Sequence, residues 1–349
     1  LKHKLELIQA CRGIAALLVV LFHVSELSYQ KFNQSFLYNL FGFGSAGVNF
    51  FFVLSGFIIF FVHSVDIGRP AQLKPFLLKR FVRVYPLYIL VTLALLPIYF
   101  LFPSLGKGYE QNLGVIIKSL TLYPQEHFPI LIVGWSLSYE ILFYLLFSLA
   151  IALPLRWTKV IALGWFFGTG LLVSLQAITI GSVPYLINFL FSFHNIEFLL
   201  GCWSAYWIRQ HSINGKLWFA IGILLFAVFG LCQDYKLLSI HPIFAYSIPS
   251  ALIILGAASI DLYRRVRLHP TLLCLGEASY SIYLIHYPCL SLLLKVAFAA
   301  HLERLVGSTI TLVLIAVIAV GIGSLTYRYI EKPLTNFLRQ RLVMKPKLS

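Results

Sequence analysis

Arg12-Gly-Ile-Ala-Ala-Leu-Leu-Val-Val-Leu-Phe-His23 is the stretch on which the fold turns, because it puts a guanidinium and an imidazole inside the first long apolar run. As a helix at 3.6 residues per turn, the eleven steps between the two residues make about three turns. Both side chains then share one stripe, roughly 16 Å apart along the axis. A cationic and a titratable group are costly in hydrocarbon and usually face a bundle interior or an aqueous path. The stripe is therefore read as a candidate reaction path rather than a lipid-facing surface.

The whole chain supports a membrane setting. Of its 349 residues 60% are hydrophobic and 11% charged, and the mean hydropathy is +0.87. Soluble domains carry about a quarter charged residues. Apolar runs long enough to cross a hydrocarbon core of roughly 30 Å fall near 8–29, 44–64, 82–103, 134–153, 158–176, 184–208, 217–232, 241–260, 272–296 and 306–328. The expectation is an all-α, polytopic membrane helix bundle of about ten transmembrane helices. Residues 1–349 are read as a single integral membrane domain, with 336–349 as a basic cytoplasmic tail. The first run carries Arg12 and His23 and lacks a small-residue cleavage site, so it is expected to stay rather than be removed as a signal peptide.

Sidedness follows from the basic residues. With the N-terminus in the cytoplasm, the inner segments and helix ends hold Lys2, Lys4, Arg69, Lys74, Lys79, Arg80, Arg83, Arg156, Lys159, Arg209, Lys216, Arg264, Arg265, Arg267 and the tail from Arg328 to Lys347. The other side keeps Lys31, Lys107, Lys118, Lys236, Lys295 and Arg304. This bias predicts cytoplasmic N- and C-termini in the cell membrane, and accounts for the net charge of +15 without nucleic acid. Cys11, Cys202, Cys232, Cys274 and Cys289 show no paired or metal-ligand spacing and read as core residues; no metal is expected. Tyr99, Trp157 and Tyr185 read as interface anchors.

Depth can be estimated once the topology is set. His23 lies about six residues below the outer end of the first span and Glu140 about six below the outer start of the fourth, each roughly 9 Å inside. A carboxylate beside an imidazole fixes its tautomer and raises its basicity, as a general base needs for taking a proton from an alcohol. The same pair also reads as a buried ion pair joining two spans. Arg12, Arg80 and Arg83 gather at the inner mouth, the last two as helix neighbours, and guanidinium groups suit phosphate. An anion held there while reaction occurs near the outer face needs an arm on the order of 15 Å. An acyl-coenzyme A has that shape.

An ordered set of strings then carries a resemblance. It runs through Arg12-X10-His23, Gly47-Val-Asn-Phe-Phe-Phe-Val-Leu-Ser55-Gly56-Phe57, Lys79-Arg80-Phe-Val-Arg83-Val-Tyr-Pro86 and Trp135-Ser-Leu-Ser-Tyr-Glu140-Ile-Leu-Phe-Tyr144. It continues through Phe198-Leu-Leu-Gly201, Leu275-Gly276-Glu-Ala-Ser-Tyr280-Ser281-Ile-Tyr283-Leu-Ile-His286-Tyr-Pro288 and Tyr327-Arg328-Tyr-Ile-Glu331-Lys-Pro333. Over residues 5–335 the chain resembles the acyltransferase-3 family. The resemblance implies a ten-helix enzyme that moves an acyl group, usually acetyl, from cytoplasmic acyl-CoA (acetyl-CoA) to a hydroxyl of a carbohydrate, polysaccharide or lipid-linked glycan. It implies a catalytic role at His23, an essential Arg12, and donor contacts at Arg80 and Arg83. Asn49 stands where most relatives carry Asp or Glu, and any ionic role there is lost. A fused extracytoplasmic hydrolase-like domain, common in relatives, is not among these residues.

The remaining candidates keep open readings. Glu140 is paired with His23 as a catalytic residue, and Trp135 and Tyr144 are placed at the acceptor because they neighbour Glu140. His286 either lines the acyl path or is a satisfied core histidine. Ser55-Gly56 reads as a close helix approach. Arg328 and Glu331 read as a local ion pair and helix stop ahead of Pro333. Glu197 either faces a cavity or pairs with a basic group the sequence does not identify. His23 would act as base, or would itself accept the acyl group and pass it on. A transporter or flippase for a glycan or lipid intermediate is the rival reading, since intramembrane Arg, His and Glu also mark transport paths.

Overall fold

The computed structural model describes residues 5–33, 36–37, 40–178, 183–238, 240–263 and 266–343. Lys2, Lys4, Arg264, Arg265, Lys345 and Lys347, used above for sidedness, lie outside the described residues. The helices are α1 (Glu6–Phe32), α2 (Gly47–His63), α3 (Leu73–Leu101), α4 (Leu113–Thr121), α5 (Gly134–Ala152), α6 (Leu155–Ile178) and α7 (Tyr185–Leu190). They continue as α8 (His194–Gln210), α9 (Gly215–Asp234), α10 (Ile248–Tyr263), α11 (Pro270–Ala299), α12 (Leu302–Val306), α13 (Ser308–Thr326) and α14 (Lys332–Leu338). No strand occurs among the described residues. Nine helical segments among them are long and apolar enough to cross a membrane. The tenth expected span, 158–176, is the 24-residue α6, whose opening turns carry Arg156 and Lys159. Pro333 does not stop the last span: a π-helical turn, Tyr327–Glu331, carries the helix from α13 straight into α14.

The chain divides into two compact units, residues 1–61 with 199–328 and residues 62–198 with 329–349. In the first, α1 begins where Asp261 of α10 accepts the backbone N–H groups of Leu7 and Ile8, at 3.0 and 3.1 Å. The otherwise orphaned donors of the first turn are thereby satisfied from another helix. Val20, Val24 and Leu27 of α1 join Ile282 and Leu290 of α11 and Leu312 and Ile315 of α13 in one apolar core.

Glycines set the closest approaches. A Cβ on Gly276 would collide with the carbonyl of Gln9, and one on Gly13 would lie 2.9 Å from the backbone nitrogen of Gly276. Ten residues further along each helix His23 meets His286, so α1 and α11 run parallel and in register. Similarly, Gly201 of α8 abuts the carbonyl of Val53 of α2, and Arg209 donates to the carbonyl of Phe61 at 2.6 Å, so these two helices are parallel as well.

Parallel packing constrains the crossings between two spans to an odd number. Between α2 and α8 lie the crossings of α3 and α5, and between α1 and α11 lie six of the nine segments. Both counts are even unless α6 also crosses. Both helix pairs are consistent with α6 as a further crossing beside the nine segments found among the described residues.

In the second unit α3 packs against α5, with Phe76 set against Phe147. Tyr88 donates to the carbonyl of Ser119 in α4 at 2.7 Å, which ties the segment 104–133 to α3. Glu331, buried to 2%, receives Arg83 of α3 at 2.5 Å.

Candidate active site

In the first unit, His23 sits in the fifth turn of α1 with a side chain 19% exposed. Its Nδ1 lies 3.2 Å from Oε2 of Glu26, one turn on, so the imidazole donates from Nδ1 to that carboxylate. The tautomer this fixes leaves a lone pair on Nε2. The ring is walled by Phe22 at 4.8 Å, by His286 stacked at 5.1 Å with planes 30° apart, and by Tyr287 edge-on at 5.2 Å. His286 is wholly buried. Its Nδ1 donates to the carbonyl of Tyr283 at 2.6 Å, and its Nε2 makes no hydrogen bond within the protein. Arg12 is on the same helix, its guanidinium donating to Gln9 at 3.0 Å.

Arg80 and Arg83 belong to the second unit. The Arg80 guanidinium carbon lies 5.8 Å from the ring centre of Phe76 and 5.9 Å from that of Tyr144. Its Nη2 approaches Nε2 of His63 at 3.4 Å, while Nδ1 of His63 donates to Asp66 at 2.7 Å. The Arg80 Nε is buried and makes no hydrogen bond within the protein. Held between rings with donors to spare, this guanidinium is preorganised for an anion. Arg83 instead meets Glu331, so the acid read as a partner of Arg328 has a cation on α3. Glu140 accepts from the phenol of Tyr144 at 2.5 Å.

A second constellation in that unit surrounds Trp135. Its ring lies 5.7 Å from His194 and 6.1 Å from Tyr139, and Tyr139 lies 5.3 Å from His194. The basic group opposite Glu197 is His194, whose Nδ1 is 3.4 Å from the wholly buried carboxylate. Among the described residues no three His, Cys, Asp or Glu side chains gather as a metal site.

The structure brings His23 and His286 into contact, and Arg80 together with Tyr144 and Glu140. The sequence reading passed over Glu26, although the signal was present. A carboxylate three residues after a histidine recurs at His23/Glu26, His63/Asp66 and His194/Glu197, a spacing that places both on one helical face. Ser55-Gly56 does lie at a close approach: Cys202 of α8 is hydrogen-bonded to the Gly56 carbonyl at 3.5 Å. Asn49 is buried.

Comparison with known proteins adds the family. The model described as "Acyltransferase domain", of the acyltransferase-3 type, matches residues 6–328. The chain is 28% identical to the exopolysaccharide production protein ExoZ of Rhizobium meliloti (strain 1021), over 93% of this chain and 97% of that protein. It is 26% identical to the acyltransferase MdmB of Streptomyces mycarofaciens, over 95% and 91% of the two chains. To the peptidoglycan O-acetyltransferase OatA of Listeria monocytogenes it is 24% identical, over 94% of this chain and 55% of that one. No solved structure matches it. With the family model covering nearly its whole length and its helices built to cross a bilayer, this multi-pass membrane protein is an acyltransferase and belongs to the acyltransferase-3 family.

Proposed function

We propose that the protein is a membrane O-acyltransferase that moves an acetyl group from cytoplasmic acetyl-CoA to a hydroxyl of a polysaccharide or lipid-linked glycan. The carrying observation is His23, held by Glu26 at Nδ1 and left with a basic Nε2, on the helix that also bears Arg12. In the proposed step Nε2 takes the proton of the acceptor hydroxyl as its oxygen attacks the thioester carbonyl. The carbon–sulfur bond breaks, and the thiolate recovers the proton from the imidazolium. Glu26 takes the orienting part that Glu140 was expected to play. Glu140 is assigned instead to holding Tyr144 beside Arg80.

Arg80 is assigned to the donor's phosphates because its buried Nε has no protein acceptor; for Arg12 and Arg83 that role rests on the family resemblance alone. Trp135 is assigned to the acceptor, and its neighbours support that reading: aromatic faces beside a polar His–Glu pair suit a sugar ring. The acceptor class rests on ExoZ, whose name concerns exopolysaccharide production, and OatA, whose name concerns peptidoglycan. Cytoplasmic termini and residence in the cell membrane rest on the basic-residue bias. Family membership favours this enzyme over a transporter.

Mass spectrometry of surface glycans from cells with and without the gene tests the assignment. An acetyl ester present only with the protein supports it, and identical glycan profiles overturn it. Coenzyme A binding in detergent tests the donor site. Arg80→Ala should weaken it about tenfold to a hundredfold, from lost charge-assisted hydrogen bonds, and unchanged affinity removes Arg80 from the donor.

A further inference from the structure

His286 is one of the most fully buried side chains in the first unit, yet only one of its nitrogens is satisfied. An unmet buried acceptor is costly, and a purely structural residue here would more simply be apolar. Its Nδ1 faces a carbonyl, which only accepts, so Nδ1 bears the hydrogen and the neutral ring keeps its lone pair on Nε2. A proton added at Nε2 would find no acceptor and no carboxylate, and would sit against His23. The other imidazole of the stack has what this one lacks: a carboxylate at Nδ1 and partial exposure. Of the two rings, only that of His23 faces a carboxylate.

We propose that His286 is a positioning residue for acyl transfer, an imidazole whose face fixes the plane of His23 and stabilises that ring when it holds the acceptor's proton. This rests on the reading of His23 as the base. The parallel register of α1 and α11 is what delivers the stack, because the glycine contact at Gly13 and Gly276 recurs ten residues on as His23 against His286. Tyr287, edge-on at 5.2 Å, closes a second side of the ring, so rotation about its long axis is blocked from two directions. An imidazolium over an aromatic face is stabilised by the ring's negative face.

Two variants separate this role from simple core filling. His286→Asn keeps an amide N–H for the Tyr283 carbonyl but removes the ring. His286→Phe keeps a ring face but removes both nitrogens. The proposal expects Asn to lower kcat about tenfold to a hundredfold with the acetyl-CoA KM unchanged, and Phe to retain most of the turnover. A merely structural role expects turnover to fall only as far as the fold does, with kcat per folded molecule at the wild-type value in both variants. Thermal melts of both variants separate lost turnover from lost fold, and His286→Gln replaces Asn should that variant not fold. Wild-type turnover in His286→Asn or His286→Gln, with His23→Ala inactive, overturns this proposal alone. Full turnover in His23→Ala overturns the reading beneath it.

Discussion

At the scale of single residues, the proposed base chemistry depends on which nitrogen of His23 carries its hydrogen. Glu26 is 39% exposed and lies 3.2 Å away, so its work is orientation and tautomer choice more than ion-pair strength. Glu26→Gln can present a donor where an acceptor is needed, and should lower kcat about a hundredfold while acetyl-CoA still binds. Steady-state kinetics with both substrates varied check this, and an unchanged kcat would show that Glu26 does not orient the base. Glu140 was the sequence's choice because depth bookkeeping placed it level with His23. That arithmetic weighed one carboxylate per helix and passed over Glu26, three residues on along the same face.

At the scale of helices, the glycine contacts decide where the histidines meet. Gly276→Val should push α11 away from α1 and cut activity severely, at an overpacking cost of about 1–3 kcal/mol. Gly321→Val, on α13 where a Cβ meets nothing within 4 Å, should be tolerated. Equal effects of the two substitutions on melting temperature and turnover would remove the register argument. The Arg83–Glu331 pair ties α3 to the π-helical turn after α13, with Arg83 35% and Glu331 2% exposed. Removing its cation from a buried carboxylate should cost about 3 kcal/mol. The double variant Arg83→Ala/Glu331→Leu should melt above Arg83→Ala alone, and simple additivity in the cycle would mean the two groups are not coupled. Pro333 misled the sequence reading because proline is also tolerated in the first turn of a helical segment, where its missing N–H is no loss.

For the whole molecule, the span count was legible because each crossing leaves an apolar run of fixed length. The weakest run was α6, where Arg156 and Lys159 dilute the apolar content. Packing direction favours a crossing there, since an odd number of crossings between each of the two parallel helix pairs is met when α6 is counted. Cysteines placed singly at Pro154 and Pro184, in a chain whose native cysteines are changed to serine, should react with an impermeant thiol reagent from opposite faces of the membrane. Labelling from one face would rule out the α6 crossing. Which side chains meet across helices was not legible, because rotation about each helix axis is set by partners distant in sequence. The His23–His286 contact, between residues 263 positions apart, is the clearest case. The most direct measurement of the central claim is acetyl transfer from radiolabelled acetyl-CoA in inside-out vesicles bearing wild-type protein or His23→Ala. The account predicts label in glycan with the wild type and none above background with His23→Ala, both proteins being present in equal amounts. Equal labelling by the two would contradict it.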